Sequence, residues 1–262
     1  MPTIHTGEVN LYYEIYGEGK PLLLIAGAGC DHCFWRFQID ALAPYFKVVA
    51  FDNRGIGLSD KPEGPYSVFE MAEDTARLME ALDIHPAHVV GHALGGYIAQ
   101  ELALNYSGYV DHLVLAGTSF GGPTAIPVTE EALAHMMPHE NIEVGTRSTL
   151  IAFTAPGFAE ASPELFEELV SYRVDNPTVK ASHQAQVLAG VQYDESERIH
   201  RLDVLTLVIT GEHDQIIPPG NASLLASTLP NAEAFILPDV GHIFPIETPE
   251  LTNQILYEFL NM

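Results

Sequence analysis

The sequence predicts an α/β fold built on a mostly parallel sheet that is flanked by helices and interrupted by one helical insertion. Short apolar runs alternate with amphipathic helical patterns along most of the 262 residues, as expected when crossover helices join parallel strands. A glycine-rich segment at 91–96 joins an apolar run to a helical pattern, and residues 122–202 contain helical patterns without a convincing strand. Together these observations indicate one α/β core that is interrupted once.

The first half of the chain alternates strand and helix patterns. Strands are predicted where polarity alternates or where a run is fully apolar, at 9–16, 21–26, 47–51, 88–90 and 110–116. Helices are predicted at 34–45, from Ser67 onward and at 94–105. Ser67 and Glu70 have the spacing of a capping box, which predicts that a helix begins there.

The second half begins with helical patterns and then returns to alternation. Helices are predicted at 129–137, 147–153, 162–174 and 179–188. The later elements are predicted as a strand at 204–210, a helix at 222–227, a strand at 232–237 and a last helix that opens at Thr248 and Pro249. We therefore expect a core of residues 1–121 and 203–262 and a helical cap insertion of residues 122–202.

Acidic residues greatly outnumber basic ones. The chain has 11 Lys and Arg against 35 Asp and Glu, a formal net charge of −24. A field of this sign repels nucleic-acid phosphates and anionic membranes, so we expect neither as a partner. One site can use only a handful of these acids, so most of them should lie on the surface. This leaves the site free to be apolar and favours neutral substrates.

The cysteine count and the composition of the first residues bear on the cellular compartment of the protein. Cys30 and Cys33 are the entire cysteine supply, which excludes a disulfide scaffold. Residues 1–14 lack the basic and apolar regions of a signal peptide, and no stretch approaches the roughly 18 apolar residues of a membrane span. We therefore expect a cytoplasmic protein. The sequence leaves its oligomeric state open.

Residues 91–96, Gly-His-Ala-Leu-Gly-Gly, lie between a predicted strand and a predicted helix. The glycines around Ala93 permit a sharp turn that raises one side chain above the carboxyl edge of a sheet. The helix that follows begins with free backbone N–H groups, which favour an anion at that position. The segment is therefore a candidate catalytic turn with Ala93 at its centre.

A carboxylate and an imidazole follow two later predicted strands. Asp214 comes just after the strand at 204–210, and His242 lies on the loop after the strand at 232–237. In the order turn, acid, histidine, the acid orients the histidine, which then serves as a general base. Glu212 is the nearest alternative to Asp214 as the acid.

These motifs resemble the α/β-hydrolase superfamily, in particular its esterase- and lactonase-like members with a helical cap. The resemblance covers essentially the whole chain and includes Gly-Ala-Gly at 27–29, Asp-Asn-Arg-Gly-Ile-Gly-Leu-Ser at 52–59, the turn at 91–96, Gly-Glu-His-Asp at 211–214 and Gly-His at 241–242. It implies an eight-stranded sheet and an oxyanion hole formed by the N–H groups of Ala28 and Leu94. It also favours Asp214 over Glu212 and assigns Asp52 and Arg54 to the scaffold.

The chain departs from this family at position 93, where the members that it resembles carry a serine or an aspartate nucleophile. Ala93 cannot attack a carbonyl. Three explanations stay open: an inactive Ser-to-Ala form of an ester or lactone hydrolase, a natural serine-less enzyme that uses the His242–Asp214 dyad for water activation or cofactor-free oxygenase-type proton abstraction, and a non-catalytic binder of a small molecule. The first is preferred because the rest of the constellation is complete.

The loop after residue 29 should border the pocket. Cys30-x-x-Cys33 with His32 is typical of zinc or redox sites, but a structural zinc needs four ligands and the chain has no second cysteine pair. We therefore expect no metal and no cofactor. The candidate substrate contacts are Phe34, Trp35, Met136 and Phe153, although apolar residues of these kinds mostly pack in the core. The expected partner is a small-molecule ester or lactone.

Overall fold

The structure of the chain is a computed structural model that describes residues 2–106 and 108–262. Its strands are β1 (Thr3–His5), β2 (Asn10–Tyr16), β3 (Lys20–Ile25), β4 (Phe46–Phe51), β5 (Ala87–His92), β6 (Val110–Ala116), β7 (Leu205–Gly211) and β8 (Ala232–Leu237). They form one sheet in the order β1-β2-β4-β3-β5-β6-β7-β8. Strand β2 is antiparallel to both neighbours, and the strands from β4 to β8 in this order are parallel. The predicted mostly parallel eight-stranded sheet is confirmed.

Eleven α-helices accompany this sheet within residues 2–106 and 108–262. They are α1 (Arg36–Leu42), α2 (Val68–Leu82), α3 (Leu94–Asn105), α4 (Glu130–His135), α5 (Ile142–Phe153), α6 (Phe158–Ala161), α7 (Pro163–Asp175), α8 (Lys180–Val191), α9 (Gly220–Thr228), α10 (Phe244–Glu247) and α11 (Pro249–Leu260). Helices α4 to α8 all lie between β6 and β7 in the chain. No helix of the described residues is long and apolar enough to cross a membrane.

The core lies on both faces of the sheet because its central strands are apolar on both sides. Along β3, Leu22 and Leu24 join one buried cluster while Leu23 and Ile25 join the other. Residues of α2 and α3 fill the first face together with Leu23, and residues of α1 and α11 fill the second together with Leu22. Successive strand residues point to opposite faces, so a continuous apolar run is what a doubly covered strand requires.

Some boundaries differ from the sequence predictions for local reasons. The predicted helix at 34–45 is a short 3-10 helix at His32–Trp35 followed by α1, which ends at Leu42. Pro44 has no backbone N–H to continue the helical hydrogen bonds after Ala43, which accounts for the early end. Helix α5 begins earlier than predicted because the Asn141 side chain caps it. Strand β1 and helices α6 and α10 are not among the elements that the sequence predicts.

The turn after β4 is braced by a buried ion pair. Arg54 Nε lies 2.6 Å from Asp74 Oδ2, and the two side chains are 5% and 3% exposed. Thr6 Oγ1 donates a hydrogen bond to Asp74 Oδ1 at 2.8 Å. Asp52, at the same turn, accepts hydrogen bonds from the backbone N–H groups of His32 and Leu58. Both Arg54 and Asp52 therefore have partners that hold loops in place.

Breaking the buried pair should cost more stability than breaking an exposed pair on the same helix. We expect Asp74→Ala to lower the free energy of unfolding by about 3 kcal/mol, since it leaves the buried Arg54 guanidinium with only the longer contacts to Glu8 and Glu70 at 3.4 and 3.7 Å. The matched control is Glu73→Ala, which removes a half-exposed partner 3.7 Å from Arg77 and should cost less than about 1 kcal/mol. Urea unfolding measures both, and equal losses would contradict this account.

Candidate active site

The chain turns sharply between β5 and α3. Ala93 stands between them with φ 50° and ψ −114°, a left-handed conformation that an alanine rarely adopts. Its backbone is fixed on two sides, because Ala93 N–H donates to the Ala116 carbonyl at 2.9 Å and its carbonyl accepts from Thr118 Oγ1 at 2.9 Å. The side chain at 93 is thereby held in one direction, at a strain of about 1–2 kcal/mol.

Glycines next to Ala93 allow strand and helix to approach this closely. A Cβ at Gly91 would lie 2.3 Å from the Gly95 carbonyl oxygen, and a Cβ at Gly95 would lie 2.2 Å from the Ile25 carbonyl oxygen. Both distances are far below van der Waals contact, so no larger residue fits without moving the backbone. The helix that follows is therefore packed against β3 and β5 with its first N–H groups near position 93.

The predicted acid and histidine meet at the carboxyl ends of β7 and β8. His242 Nδ1 lies 2.7 Å from Asp214 Oδ2, and both residues are buried. Asp214 Oδ1 accepts hydrogen bonds from the N–H groups of Ile216 and Ile217 at 2.9 and 2.8 Å. A carboxylate held in this way accepts the Nδ1 proton of the imidazole and leaves Nε2 able to act as a base.

The alternative acid does not contact the histidine in this way. Glu212 is exposed, and its Oε2 accepts a hydrogen bond from the backbone N–H of Asp239 at 3.3 Å. His213, between the two acids, takes no part in the His242–Asp214 hydrogen bond. Of the two carboxylates, Asp214 is the one that lies within hydrogen-bond distance of His242.

His92 links the turn at Ala93 to the loop of His242. Its Nε2 lies 2.9 Å from the His242 backbone oxygen, and the two rings are 4.7 Å apart. Burial, together with the nearby His242, lowers the pKa of His92 to about 3, so the ring is neutral and its Nε2–H donates. Sequence reasoning missed this residue, although its place beside position 93 was a usable signal.

Glu247, also missed at the sequence level, fixes the other side of the His242 loop. Its Oε1 accepts from Gly241 N–H at 3.0 Å and its Oε2 accepts from Ala155 N–H at 2.7 Å. This side chain therefore joins the loop that carries His242 to the segment after α5. Burial raises the pKa of Glu247 to about 7, against the opposing effect of these two N–H donors.

The two expected oxyanion donors lie on either side of position 93. Leu94 is the first residue of α3, and a Cβ on Gly27 would lie 3.2 Å from Ala93 Cβ, which places the segment of Ala28 against the turn. Among the described residues, neither the Ala28 nor the Leu94 N–H donates a hydrogen bond to another protein group. Gln186 of α8, a third residue that sequence reasoning missed, accepts from Gly29 N–H at 2.8 Å and holds this loop.

The four candidate substrate contacts are placed very differently. Phe153 packs edge-on against His242, with ring centroids 5.5 Å apart. Phe34 and Trp35 are buried and pack on the His92 ring, at 4.7 and 6.3 Å between centroids. Met136 is 39% exposed at the end of α4. Of the four, Phe153 is the one in ring contact with His242.

The loop of Cys30 and Cys33 is ordered by polar contacts. Both cysteines are free thiols and partly buried. His32 Nδ1 lies 2.8 Å from Asp52 Oδ1, and Tyr172 Oη donates to Asp31 Oδ2 at 2.6 Å. Burial opposes protonation of His32, but its hydrogen bonds to Asp52 and Cys33 prevail and raise its pKa to about 10. His32 is therefore a charged partner of Asp52.

Glu247 should make stability depend on pH. Its pKa of about 7 exceeds the ordinary 4.5, so the folded chain binds this proton more tightly than the unfolded chain does. The contribution is fully present below about pH 4.5 and is lost as the pH rises through 7, on the order of 3 kcal/mol. We expect Glu247→Gln to remove this contribution to the pH dependence of the free energy of unfolding. Urea unfolding at several pH values from 4 to 8 measures it. An unchanged slope would contradict the assignment.

The chain matches a family model described as alpha/beta hydrolase fold over residues 20–249. It is 34% identical to RutD of Azorhizobium caulinodans, which is named as a carbamate hydrolase, over 99% of this chain and 98% of that protein. It is 33% identical to a poly(3-hydroxyalkanoate) depolymerase of Ectopseudomonas oleovorans, over 92% of this chain and 84% of that one.

A solved structure agrees with these matches. A serine-to-alanine variant of a meta-cleavage product hydrolase from Pseudomonas fluorescens IP01, complexed with acetates, superposes with a TM-score of 0.87. Its sequence is 30% identical, and the alignment covers 100% of this chain and 97% of that chain. The sheet order, the turn at Ala93, the His242–Asp214 pair and these matches lead to one conclusion: the chain belongs to the alpha/beta hydrolase fold family.

Proposed function

We propose that this fold carries the hydrolysis of a small carboxylic ester or lactone through an acyl-enzyme, and that the chain with Ala93 is the inactive Ser-to-Ala form. The observation that carries the proposal is the backbone of Ala93, which keeps φ 50° beside an ordered His242–Asp214 pair. An alanine gains nothing from this strained position, whereas a serine there would present its hydroxyl above the edge of the sheet.

The proposed reaction uses groups whose positions are described above. Serine Oγ at position 93 adds to the substrate carbonyl while His242 Nε2 accepts the hydroxyl proton. Asp214 keeps the Nδ1 proton in place and stabilises the imidazolium. The alkoxide leaves with the proton from His242, and a water molecule that His242 deprotonates then hydrolyses the acyl-enzyme. In a lactone the leaving oxygen stays attached to the acyl group.

The N–H groups of Ala28 and Leu94 are the proposed oxyanion hole. Each has no protein acceptor among the described residues and is therefore available to a substrate oxygen. Two donors aimed at the developing negative charge contribute roughly 3 kcal/mol each to lowering the barrier. Because the turn and the Gly29–Gln186 hydrogen bond fix both segments, little reorganisation is needed when the charge forms.

Substrate class is proposed from the residues near His242 and from the relatives. Phe153 and Ile243 are apolar neighbours of this imidazole, which favours a neutral acyl group. A depolymerase of a polyester is among the similar proteins, which supports ester chemistry. The relative named as a carbamate hydrolase makes a carbamate the competing substrate, and the assay below includes one.

Restoring a hydroxyl at position 93 should create activity. We expect Ala93→Ser to raise kcat/KM for p-nitrophenyl acetate and for a small lactone by about 10⁴- to 10⁶-fold over the chain as it stands. The new serine should also react stoichiometrically with a fluorophosphonate probe, visible as a mass increase of the intact protein. The measurement is initial rates on an ester, a lactone and a phenyl carbamate in parallel.

Two further variants serve as controls for this experiment. Ala93→Gly relieves the backbone strain without adding a nucleophile. This variant should show only background rates with the substrates and no mass increase with the probe. Adding Asp214→Asn to Ala93→Ser should lower kcat by about 10⁴-fold, because the imidazole then adopts the wrong tautomer. Equal ester hydrolysis by the unchanged chain and by the Ala93→Ser variant would overturn the acyl-enzyme proposal in favour of a dyad that activates water. Turnover of the carbamate alone would overturn the substrate class.

A further inference from the structure

A second polar cluster lies at the opposite end of the sheet. His88 is near the start of β5, and Asp111 and His112 are near the start of β6, the neighbouring parallel strand. Five residues of extended chain separate His88 from Ala93, about 16 Å along β5. The cluster is therefore remote from the reacting atoms proposed above, and its role does not depend on them.

The imidazoles of this cluster are buried without hydrogen-bond partners. His88 is 0% exposed, and among the described residues neither of its ring nitrogens makes a regular side-chain hydrogen bond, although the Asp111 carboxylate lies 3.5 Å from Nδ1. Both ring nitrogens of His112 are likewise buried and unpartnered within the described part of the chain. A buried polar group without a regular hydrogen bond costs about 1–3 kcal/mol, so two such imidazoles around one carboxylate indicate a site that a ligand would complete.

Two of the three donor separations match those around one tetrahedral metal ion. His88 Nδ1 and His112 Nδ1 lie 3.5 and 3.4 Å from Asp111 Oδ2, and the ligand atoms of the three residues lie within 4.8 Å of one another. Two ligands at zinc distances from a tetrahedral ion are about 3.3–3.5 Å apart, whereas adjacent ligands of an octahedral ion are about 3.0 Å apart.

We propose that His88, Asp111 and His112 form a zinc-binding site that joins β5 to β6. Two imidazole nitrogens and one carboxylate oxygen are donors that suit zinc, and the fourth position would take a water molecule. Asp111 and His112 are partly exposed, at 34% and 14% of their side chains, so an ion can enter from solvent. The site sits at the amino-terminal edge of the sheet, where a bound ion would stabilise the fold.

Lys20 is the natural competitor for this ion. Its Nζ lies 2.5 Å from Asp111 Oδ2, and half of its side chain is exposed. An ammonium group beside the carboxylate repels a divalent cation, so zinc binding requires this flexible side chain to swing into solvent. Removal of the ammonium should therefore strengthen binding, an effect that a merely structural ion pair does not predict.

Another cluster, Asp31, His32 and Cys33, has metal-ligand types but differs in its contacts. His32 is paired with Asp52, and Asp31 accepts from Tyr172, so their polar atoms already have partners. The imidazoles of the His88 cluster lack such partners among the described residues, which is why we assign the zinc site to it. Mutations can distinguish the two candidate sites, because the two clusters share no residue.

The test is binding of Zn²⁺ alone to the full chain after chelator treatment, by competition with a chromophoric chelator, with Co²⁺ as a spectroscopic probe. We expect one equivalent of zinc, a rise in Tm, and strong visible absorption of bound Co²⁺ typical of tetrahedral geometry. His112→Gln and Asp111→Asn should each weaken binding by at least about tenfold. Lys20→Met should strengthen it by about fivefold, the upper range for an exposed ion pair.

Two variants serve as matched controls and should bind like the unchanged chain. His85→Gln removes an exposed histidine stacked on Tyr109, close in sequence to His88. Cys33→Ser tests the competing cluster. Circular dichroism of each variant establishes that it is folded, and His112 is only partly buried, so His112→Gln should fold. Absence of stoichiometric zinc, loss of binding in Cys33→Ser with retention in His112→Gln, or the weak absorption of octahedral Co²⁺ would each overturn the proposal.

Discussion

The passage from β5 to α3 at Ala93 is the constraint on which the rest of this site depends. A left-handed residue at this point turns the chain within one position, and only glycines at 91 and 95 let the helix approach β3 and β5 closely enough. The turn directs the side chain at 93 away from the sheet and leaves the first N–H groups of α3 without acceptors. The loops of β3, β7 and β8 then complete the site around that fixed point.

Polar contacts hold the residues around this turn, above all His242, in fixed positions. His92 donates to the His242 backbone, Glu247 holds the Gly241 N–H, and Asp214 accepts two N–H groups as well as the imidazole. These bonds are buried or partly buried, so an unmade bond would be costly and a made one positions its partners firmly. The histidine is therefore held by its side chain, its own carbonyl and its neighbouring glycine.

The same strand carries two different kinds of polar site at its two ends. At the carboxyl end of β5 one ring nitrogen of His92 has a protein partner, whereas neither ring nitrogen of His88, near the amino end, makes a hydrogen bond among the described residues. Partnered groups are preorganised for a reaction, and unpartnered groups with metal-ligand spacing are suited to an ion. The large negative charge of the chain also attracts cations to partly exposed carboxylates such as Asp111.

The sequence by itself determined the α/β class, the turn at Ala93 and the order of Asp214 and His242, because local periodicity and glycine placement depend only on residues that are close in the sequence. It did not identify His92, Glu247 and Gln186 as supports of the site, since each contacts a residue that is distant in the chain. It could not reveal the His88 cluster either, because the register of β5 against β6 brings His88 near Asp111 and His112. Only the tertiary structure decides such contacts, because packing rather than chain order sets which polar atoms meet and which are left without a partner.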